Sequence, residues 1–425
     1  MRICLISSIH PWVNPRLVKE ADTLASLGHD VFVVTKRVDA WSDVRDQDLL
    51  QGKNWSCLRA NMLRRDKGGR KQWLLTALRG KIALKAYALL PTLSLAEEGY
   101  YRGFKQVLAL ALSTRADLYI AHTQGALAIA ARAASRSGVP YGFDCEDLLA
   151  EEAADGLRDS RIRRAILQIE QAYLPGAGYV SATSRSMAAY LAERYGILMP
   201  RVIRNVFSLN ELKGVVPPSA RTRNKAVEMV WMSATIGPGR GLEDVLMALP
   251  RLPKHVRLTI YGRMLPFYQP IFGALLDEYK IGERVVVKPI PKSDLIMPAL
   301  ASFDIGLTLD QNDCLNRSLT ICNKVFLYLQ AGLMIVATDT PGQREILSDV
   351  SGCGVLYPPG NQDMLVERVL PCVRDPHQLV EAKCVAWHSG QVRFNWEVEQ
   401  SELLQAIQST TAASAKQQTP LLSEE

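Results

Sequence analysis

The feature that most restricts what this chain can fold into is a strand, a helix closed by glycine, and a second strand, placed one after another at its start. Residues 2–7 form an apolar strand-like run, residues 15–27 carry an amphipathic helical pattern, Gly28 ends it, and residues 30–35 are again strand-like. A glycine just past the last helical turn is a usual stop, and two strands joined through a helix lie parallel in one sheet. The alternation continues with strand-like runs at 118–121 and 141–143, separated by an alanine-rich helical run at 126–134. A further strand at 178–182, a helix at 187–195 and the pair Val202 and Ile203 complete this series.

Residues 216–225 interrupt it with a polar stretch that contains two prolines and has no apolar period, as an inter-domain linker does. A second series follows at once. Strand-like runs at 229–233, 257–261, 285–288, 305–309 and 335–338 alternate with helical patterns at 242–249 and 324–331. The expected fold is α/β with two Rossmann-like, doubly wound domains. Residues 1–215 form the first and residues 226–390 the second. A helix at 391–409 is expected to pack back on the first domain, and 410–425, rich in small and polar residues, to be a disordered tail.

A chain of 425 residues accommodates two such cores. Its eight cysteines include no pair at metal or redox spacing, which points to a reducing compartment. The opening lacks the features of a secretory signal. The most apolar long stretch, 82–113, is broken by Lys85, Glu97, Glu98, Arg102 and Lys105, so it does not supply the ~20 apolar residues of a membrane-spanning helix. A cytoplasmic location is expected, peripheral on the inner face of a membrane if the basic segment docks there. That segment carries Arg64, Arg65, Lys67, Arg70, Lys71, Arg79, Lys81 and Lys85 among Trp73, Leu74, Leu75, Leu78, Ile82 and Leu84. Mixed basic and apolar residues on one helix suit an anionic membrane surface; the plainer reading is a solvated helix face. No nucleic-acid module accompanies the charge, so nucleic acid is not an expected partner.

In open parallel sheets, ligands gather at the carboxyl ends of strands. The run Ser233-Ala-Thr-Ile-Gly-Pro-Gly-Arg-Gly-Leu242 follows a strand and opens a helix. Gly237, Gly239 and Gly241 permit close backbone approach, and Arg240 with the N–H groups of a helix start favours a diphosphate. A tight turn with a solvated arginine is the alternative. A second helix begins near Asn323 and Lys324, which is another polar helix start able to hold an anion.

The segment Asn323-Lys-Val-Phe-Leu-Tyr-Leu-Gln-Ala-Gly332, with Ile335-Val-Ala-Thr-Asp339 and the residues through Gly342 to Glu345, resembles the second domain of family-4-type GT-B glycosyltransferases. The resemblance extends more loosely through Leu27-Gly-His-Asp-Val31, Ala116 to His122, Tyr141 to Asp147, Thr183 to Tyr195 and Val202 to Asn205. It implies the GT-B fold, two domains facing across a cleft. It also implies a nucleoside-diphosphate sugar as donor, with Arg240 and Lys324 on the phosphates, Asn323 on the nucleotide, and Gly342 and Glu345 toward the donor end. Retention of configuration is implied as well. Two family glutamates fall on Leu319 and Leu327, and a family arginine on Thr235. A leucine accepts no ribose hydrogen bond, so the nucleotide is held differently or the site is degenerate.

On the first domain, His122 ends a strand beside Thr123, Gln124 and Gly125, and matches a family histidine facing the acceptor. Asp144 begins Asp-Cys-Glu-Asp147, where related chains read Asp-x-His-Glu, so Glu146 stands in the place of a histidine. Three carboxylates at a sheet edge suit metal binding or acid and base work; the plainer reading, for Asp147 above all, is a helix cap with first-turn acids, while Asp144 is expected at the acceptor site. His10, Asn14 and Arg16 lie in a polar loop after the first strand. They read equally as acceptor-binding groups or as ordinary surface residues.

The expected activity is transfer of a sugar from a nucleoside-diphosphate sugar to a glycan or lipid-linked acceptor, in cell-surface polysaccharide or glycolipid synthesis. His122, Arg240 and Lys324 are the expected catalytic residues. No cofactor and no metal are expected, because two cations suffice for charge developing on the leaving diphosphate. The alternatives are an inactive GT-B scaffold protein and a sugar-nucleotide epimerase.

Overall fold

A computed structural model of the chain describes residues 1–152, 160–221 and 226–418. These form two compact units. The first comprises 1–183, 188–203 and the end of the chain from Gln400. The second comprises Ser184–Met187 and Arg204–Glu399.

The first unit is built on seven parallel strands: β1 (Arg2–Ser7), β2 (Asp30–Arg37), β3 (Ser56–Asn61), β4 (Leu118–His122), β5 (Tyr141–Cys145), β6 (Tyr179–Ala182) and β7 (Arg201–Val202). Their spatial order is β3-β2-β1-β4-β5-β6-β7. Registers such as Ile3 with Val31 and with Leu118 are parallel on both sides of β1, and β1 and β4 are buried almost throughout. Such continuous apolar strands are what a sheet covered on both faces requires. Asn14 caps the helix Pro15–Ser26 by accepting from Leu17 N at 3.1 Å, and Pro15 occupies its first turn. Gly28 closes that helix at φ 82°, a left-handed conformation open to glycine at little cost.

The second unit repeats the plan with six parallel strands: β8 (Val227–Ile236), β9 (Val256–Met264), β10 (Val285–Lys288), β11 (Ile305–Thr308), β12 (Met334–Thr338) and β13 (Gly354–Tyr357). The order is β10-β9-β8-β11-β12-β13. Its core packs Trp231, Ile260, Leu307 and Val336 of the sheet with Val245, Leu249, Leu365 and Val369 of the flanking helices. Both sheets reverse strand order beside their first strand. That reversal opens a crevice at the carboxyl ends, between β1 and β4 in the first unit and between β8 and β11 in the second.

Several elements depart from the sequence reading. Helix Ala40–Leu50 and strand β3 lie in a region where the chain shows no clean period, and the basic segment read as a helix extends over Lys67–Leu89. The final helix runs Trp396–Gln418. The tail expected from 410 therefore does not begin there: Thr410 is 4% exposed and its side chain reaches Gly178. Residues 419–425 lie outside the described ones, as do 222–225 of the expected linker. From Gln400 onward the final helix belongs to the first unit.

Candidate active site

At the crevice of the first unit, the helix Pro15–Ser26 with its cap and the ends of β4 and β5 bring together Asn14, Arg16, Glu20, His122, Asp144 and Glu146. Arg16 meets Asp144 through two nitrogens, Nε to Oδ2 and Nη2 to Oδ1, each at 2.6 Å. Its Nη1 donates to the Ile203 carbonyl at 2.6 Å. His122 lies between carboxylates, with Nε2 3.1 Å from Glu20 and Nδ1 3.3 Å from Asp144 and 3.5 Å from Glu146. Ser181 Oγ donates to Asp144 at 2.5 Å.

Arg16, His122, Glu20 and Asp144 are all within 1% of complete burial. Burial alone would discharge His122. The Glu20 charge and contacts with Asp144 and Glu146 outweigh it, and the imidazole is held protonated well above its ordinary range. Burial likewise works against ionised Asp144, but Arg16 and His122 hold its pKa down at about 2. The network is thus an internally paired set of charges. Glu20, His122 and Asp144 place ligand-type atoms within 4.8 Å of one another, yet the Arg16 guanidinium lies against both carboxylates and takes the place a cation would fill.

Burial changes the reading of the residues expected to touch acceptor. Arg16, His122 and Asp144 contact each other and carry no open surface. Asn14, 1% exposed, caps its helix and donates to Glu146 Oε1 at 2.8 Å. His10 is 6% exposed, with Nδ1 on Asp46 at 2.6 Å. Glu146 is different: its side chain is 17% exposed. It is not among the residues expected to touch acceptor, because it stands where related chains carry a histidine. Beside it, Thr123 sits at φ 67° and ψ 155°, a region essentially confined to glycine. Its Oγ1 shares a 2.5 Å hydrogen bond with Ser8 Oγ.

At the crevice of the second unit, the glycine loop joins β8 to the helix Leu242–Ala248. Its three glycines have different reasons. A Cβ on Gly241 would lie 2.2 Å from the Leu309 carbonyl, so packing excludes larger residues there, whereas one on Gly237 would meet the movable end of the Leu265 side chain at 2.7 Å. A Cβ on Gly239, which sits at φ 68°, would meet nothing outside its chain neighbours closer than 3.9 Å, so this side of the backbone is open to an approaching group. Outside those neighbours, the side chains nearest that Cβ are Asp313 and Arg317. Arg317, paired with Asp313, is a cation that the sequence reading missed, since no spacing or motif marks it.

Arg240 is half-buried in this loop. Lys324, also half-buried, opens the helix Asn323–Ala331, whose start has no side-chain cap, and its Nζ lies 5.3 Å from the centre of the Trp231 ring. Burial opposes the lysine's charge, but Cys322 and Asp310 raise its pKa and keep it cationic; Arg240, acting against them, is near enough to be felt. Asp310 Oδ2 is buried without a hydrogen-bond partner. Asn323 is exposed at the helix start.

The remaining expected positions serve packing in this structure. A Cβ on Gly342 would lie 2.3 Å from the Thr320 carbonyl. Glu345 accepts from Arg185 N at 2.9 Å and from Ser186 N at 2.6 Å, within the second unit. Leu327 is 8% exposed in the apolar interior.

The helix Lys67–Leu89 exposes Leu74, Leu75, Leu78 and Ile82. Arg64, Arg65, Lys67, Arg70, Lys71, Arg79, Lys81 and Lys85 are all exposed too. Among the described residues, no helix is long and apolar enough to cross a membrane.

Residues 13–205 match the model of the glycosyl transferase 4-like domain. Among solved structures, HepE of Anabaena in complex with UDP is similar over 96% of this chain and 100% of its own, with TM-score 0.69 and 17% identity. Sucrose-phosphate synthase of Thermosynechococcus elongatus is similar over 97% and 100%, with TM-score 0.71 and 15% identity. The fold is GT-B, and its first domain is glycosyl transferase 4-like. The lipopolysaccharide outer core galactosyltransferase WaaB aligns over 96% of this chain and 99% of its own, with TM-score 0.61 and 15% identity. No curated protein matches the sequence. The resemblance to family-4-type GT-B glycosyltransferases is thereby borne out, and with it the reading of the chain as a glycosyltransferase.

Proposed function

We infer that this glycosyltransferase takes its sugar from a nucleoside diphosphate, with the diphosphate held by Arg240 and Lys324. The observation that carries this is the pair of cations at the β8 and β11 crevice, Arg240 next in the chain to the open backbone of Gly239 and Lys324 near enough to Arg240 to feel its charge. A leaving diphosphate gathers negative charge as the glycosidic bond breaks, and fixed cations stabilise that charge without any nucleophile. HepE, similar in fold, is described in complex with UDP and with UDP-glucose. Arg317 adds a third positive group near the same glycine. Retention of configuration and independence from metal belong to this reading, as does an acceptor in cell-surface polysaccharide or glycolipid synthesis. Gly237 and Gly241 shape the loop, and Asn323 supplies the exposed start of a helix.

The exposed Leu74, Leu75, Leu78 and Ile82, with eight exposed cations around them, support docking on an anionic membrane surface. A lipid-linked acceptor would be met there. Retention on vesicles of anionic lipid, lost at high salt, would support this; equal retention on neutral vesicles would count against it.

Leu319 and Leu327 favour a second reading, a scaffold protein without activity, because no carboxylate stands at either position. Calorimetry with UDP, GDP and ADP, followed by transfer assays with a nucleotide-sugar panel, separates the two. A transferase binds one diphosphate, and Arg240→Ala and Lys324→Ala each lower that affinity at least tenfold. Binding of none of the three nucleotides would remove the transferase reading. Isomerised donor without acceptor would point instead to an epimerase.

A further inference from the structure

Five ionisable side chains meet at the β1 and β4 crevice, and their charges do not cancel evenly. Arg16 and protonated His122 balance Glu20 and Asp144, all four without open surface. Glu146 is the fifth. It is the member with exposed surface, so the network presents one uncompensated carboxylate at the carboxyl edge of its sheet.

That carboxylate is held in place. Asn14 Nδ2 donates to Oε1 at 2.8 Å, and Asn14 is itself fixed as a helix cap. His122 Nδ1 lies 3.5 Å from the same oxygen, and neither of its buried ring nitrogens makes an aligned hydrogen bond. Oε2 has no partner among the described residues. An anchored carboxylate with one free oxygen accepts hydrogen bonds and donates none. It suits a hydroxyl and repels a phosphate.

We propose that Glu146 is an acceptor-binding residue that takes a hydrogen bond from a hydroxyl of a neutral sugar, and that Asn14 and His122 position it. Resting on the transferase reading, this narrows the acceptor at that point to an uncharged sugar hydroxyl in place of a phosphorylated group. It also gives His122 a part: a buried cation 3.5 Å from Glu146 Oε1 that holds the carboxylate in place, with no direct contact to substrate. A hydrogen bond to a carboxylate is about twice as strong as one to a neutral amide oxygen, so losing the charge while keeping the acceptor weakens binding by about five- to tenfold.

Saturation-transfer NMR on the full chain tests this with methyl glucoside, methyl galactoside and methyl mannoside as neutral probes and glucose 6-phosphate as the anionic one. Wild type is expected to bind at least one methyl glycoside and to bind glucose 6-phosphate more weakly. Glu146→Gln, with unchanged thermal unfolding, is expected to lose about five- to tenfold in affinity for the glycoside and to narrow the gap to the phosphate. Glu146→Asp is expected to fall between the two. Equal glycoside affinity in wild type and Glu146→Gln would overturn the proposal. So would preference of wild type for glucose 6-phosphate, or binding of no glycoside. The probes need no donor; nucleotide calorimetry on the same wild-type sample reports separately on the transferase reading.

Discussion

Arg16 and Asp144 face each other through two contacts of 2.6 Å, with neither side chain reaching solvent. Desolvated charges stay in an interior only while they are paired, and removing Arg16 takes from Asp144 its shortest contacts and leaves Glu20 and Asp144 with His122 as their one remaining buried cation. Arg16→Met is expected to destabilise the first unit by about 3–5 kcal/mol, while Arg16→Met combined with Asp144→Leu recovers much of that loss. Urea unfolding followed by circular dichroism measures both. Equal loss in the single and double variants would show that Arg16 matters through packing alone.

Thr123 occupies a backbone conformation that costs a β-branched residue about 1–3 kcal/mol. Its hydroxyl partly offsets this through Ser8. Thr123→Ala and Thr123→Gly both lose the hydroxyl, but only glycine relieves the strain. The glycine variant is therefore expected to be the more stable, the reverse of the ordinary order of the two residues in unstrained backbone. Thermal unfolding decides it: an alanine variant that melts higher would mean that the backbone relaxes and holds no strain there.

Glu170, on the helix Ser160–Tyr173, is 2% exposed and accepts from Tyr195 Oη at 2.5 Å. Burial pushes its pKa up to about 7, against the pull of Tyr195 and Gln124. The folded state therefore holds this proton more tightly than the unfolded chain. The associated stability is complete below the unfolded value of 4.5 and is lost as pH rises through about 7. By pH 8 the loss approaches about 3 kcal/mol. Glu170→Gln is expected to stabilise the protein relative to wild type at pH 8 and to make little difference at about pH 4.5. Urea midpoints across that range are the measurement, and a difference independent of pH would assign the effect to shape.

The alternation of strands and helices was legible because strands covered on both faces are continuously apolar, as Ile3 to Ile6 and Leu118 to Ala121 are. The extents of the helices between β2 and β4 were not. Lys67–Leu89 buries only Gly69, Thr76, Ala83 and Tyr87 along a narrow stripe and leaves leucines in solvent, which erases the period that marks an amphipathic helix. The final helix outran its expected end because Thr410 packs against a glycine distant in sequence. At the site, residue types showed where charges gather but not which of them meet each other. Arg16, His122 and Asp144 read as groups for a ligand, and tertiary pairing turned them inward. Glu146 and Arg317 gained significance only from exposure and neighbours, which no local pattern carries.

Arg317 gives the last test, since this cation, which the sequence did not single out, comes close to the open glycine. It is part-buried and tied to Asp313, so its charge is partly spent within the pair. If a diphosphate rests against Gly239, Asp313 lies close enough to repel it while Arg317 attracts it. Arg317→Gln is expected to weaken diphosphate binding several-fold, and Asp313→Asn to strengthen it by releasing the guanidinium. Both effects should shrink in high salt, because surface charges are screened over about 10 Å at 0.1 M. Calorimetric titration of both variants with the nucleotide that wild type binds, at low and high ionic strength, reads this directly. Opposite shifts locate the phosphates beside Gly239; unchanged affinity in both variants would move the diphosphate away from that loop and leave its binding to Lys324 and the start of its helix.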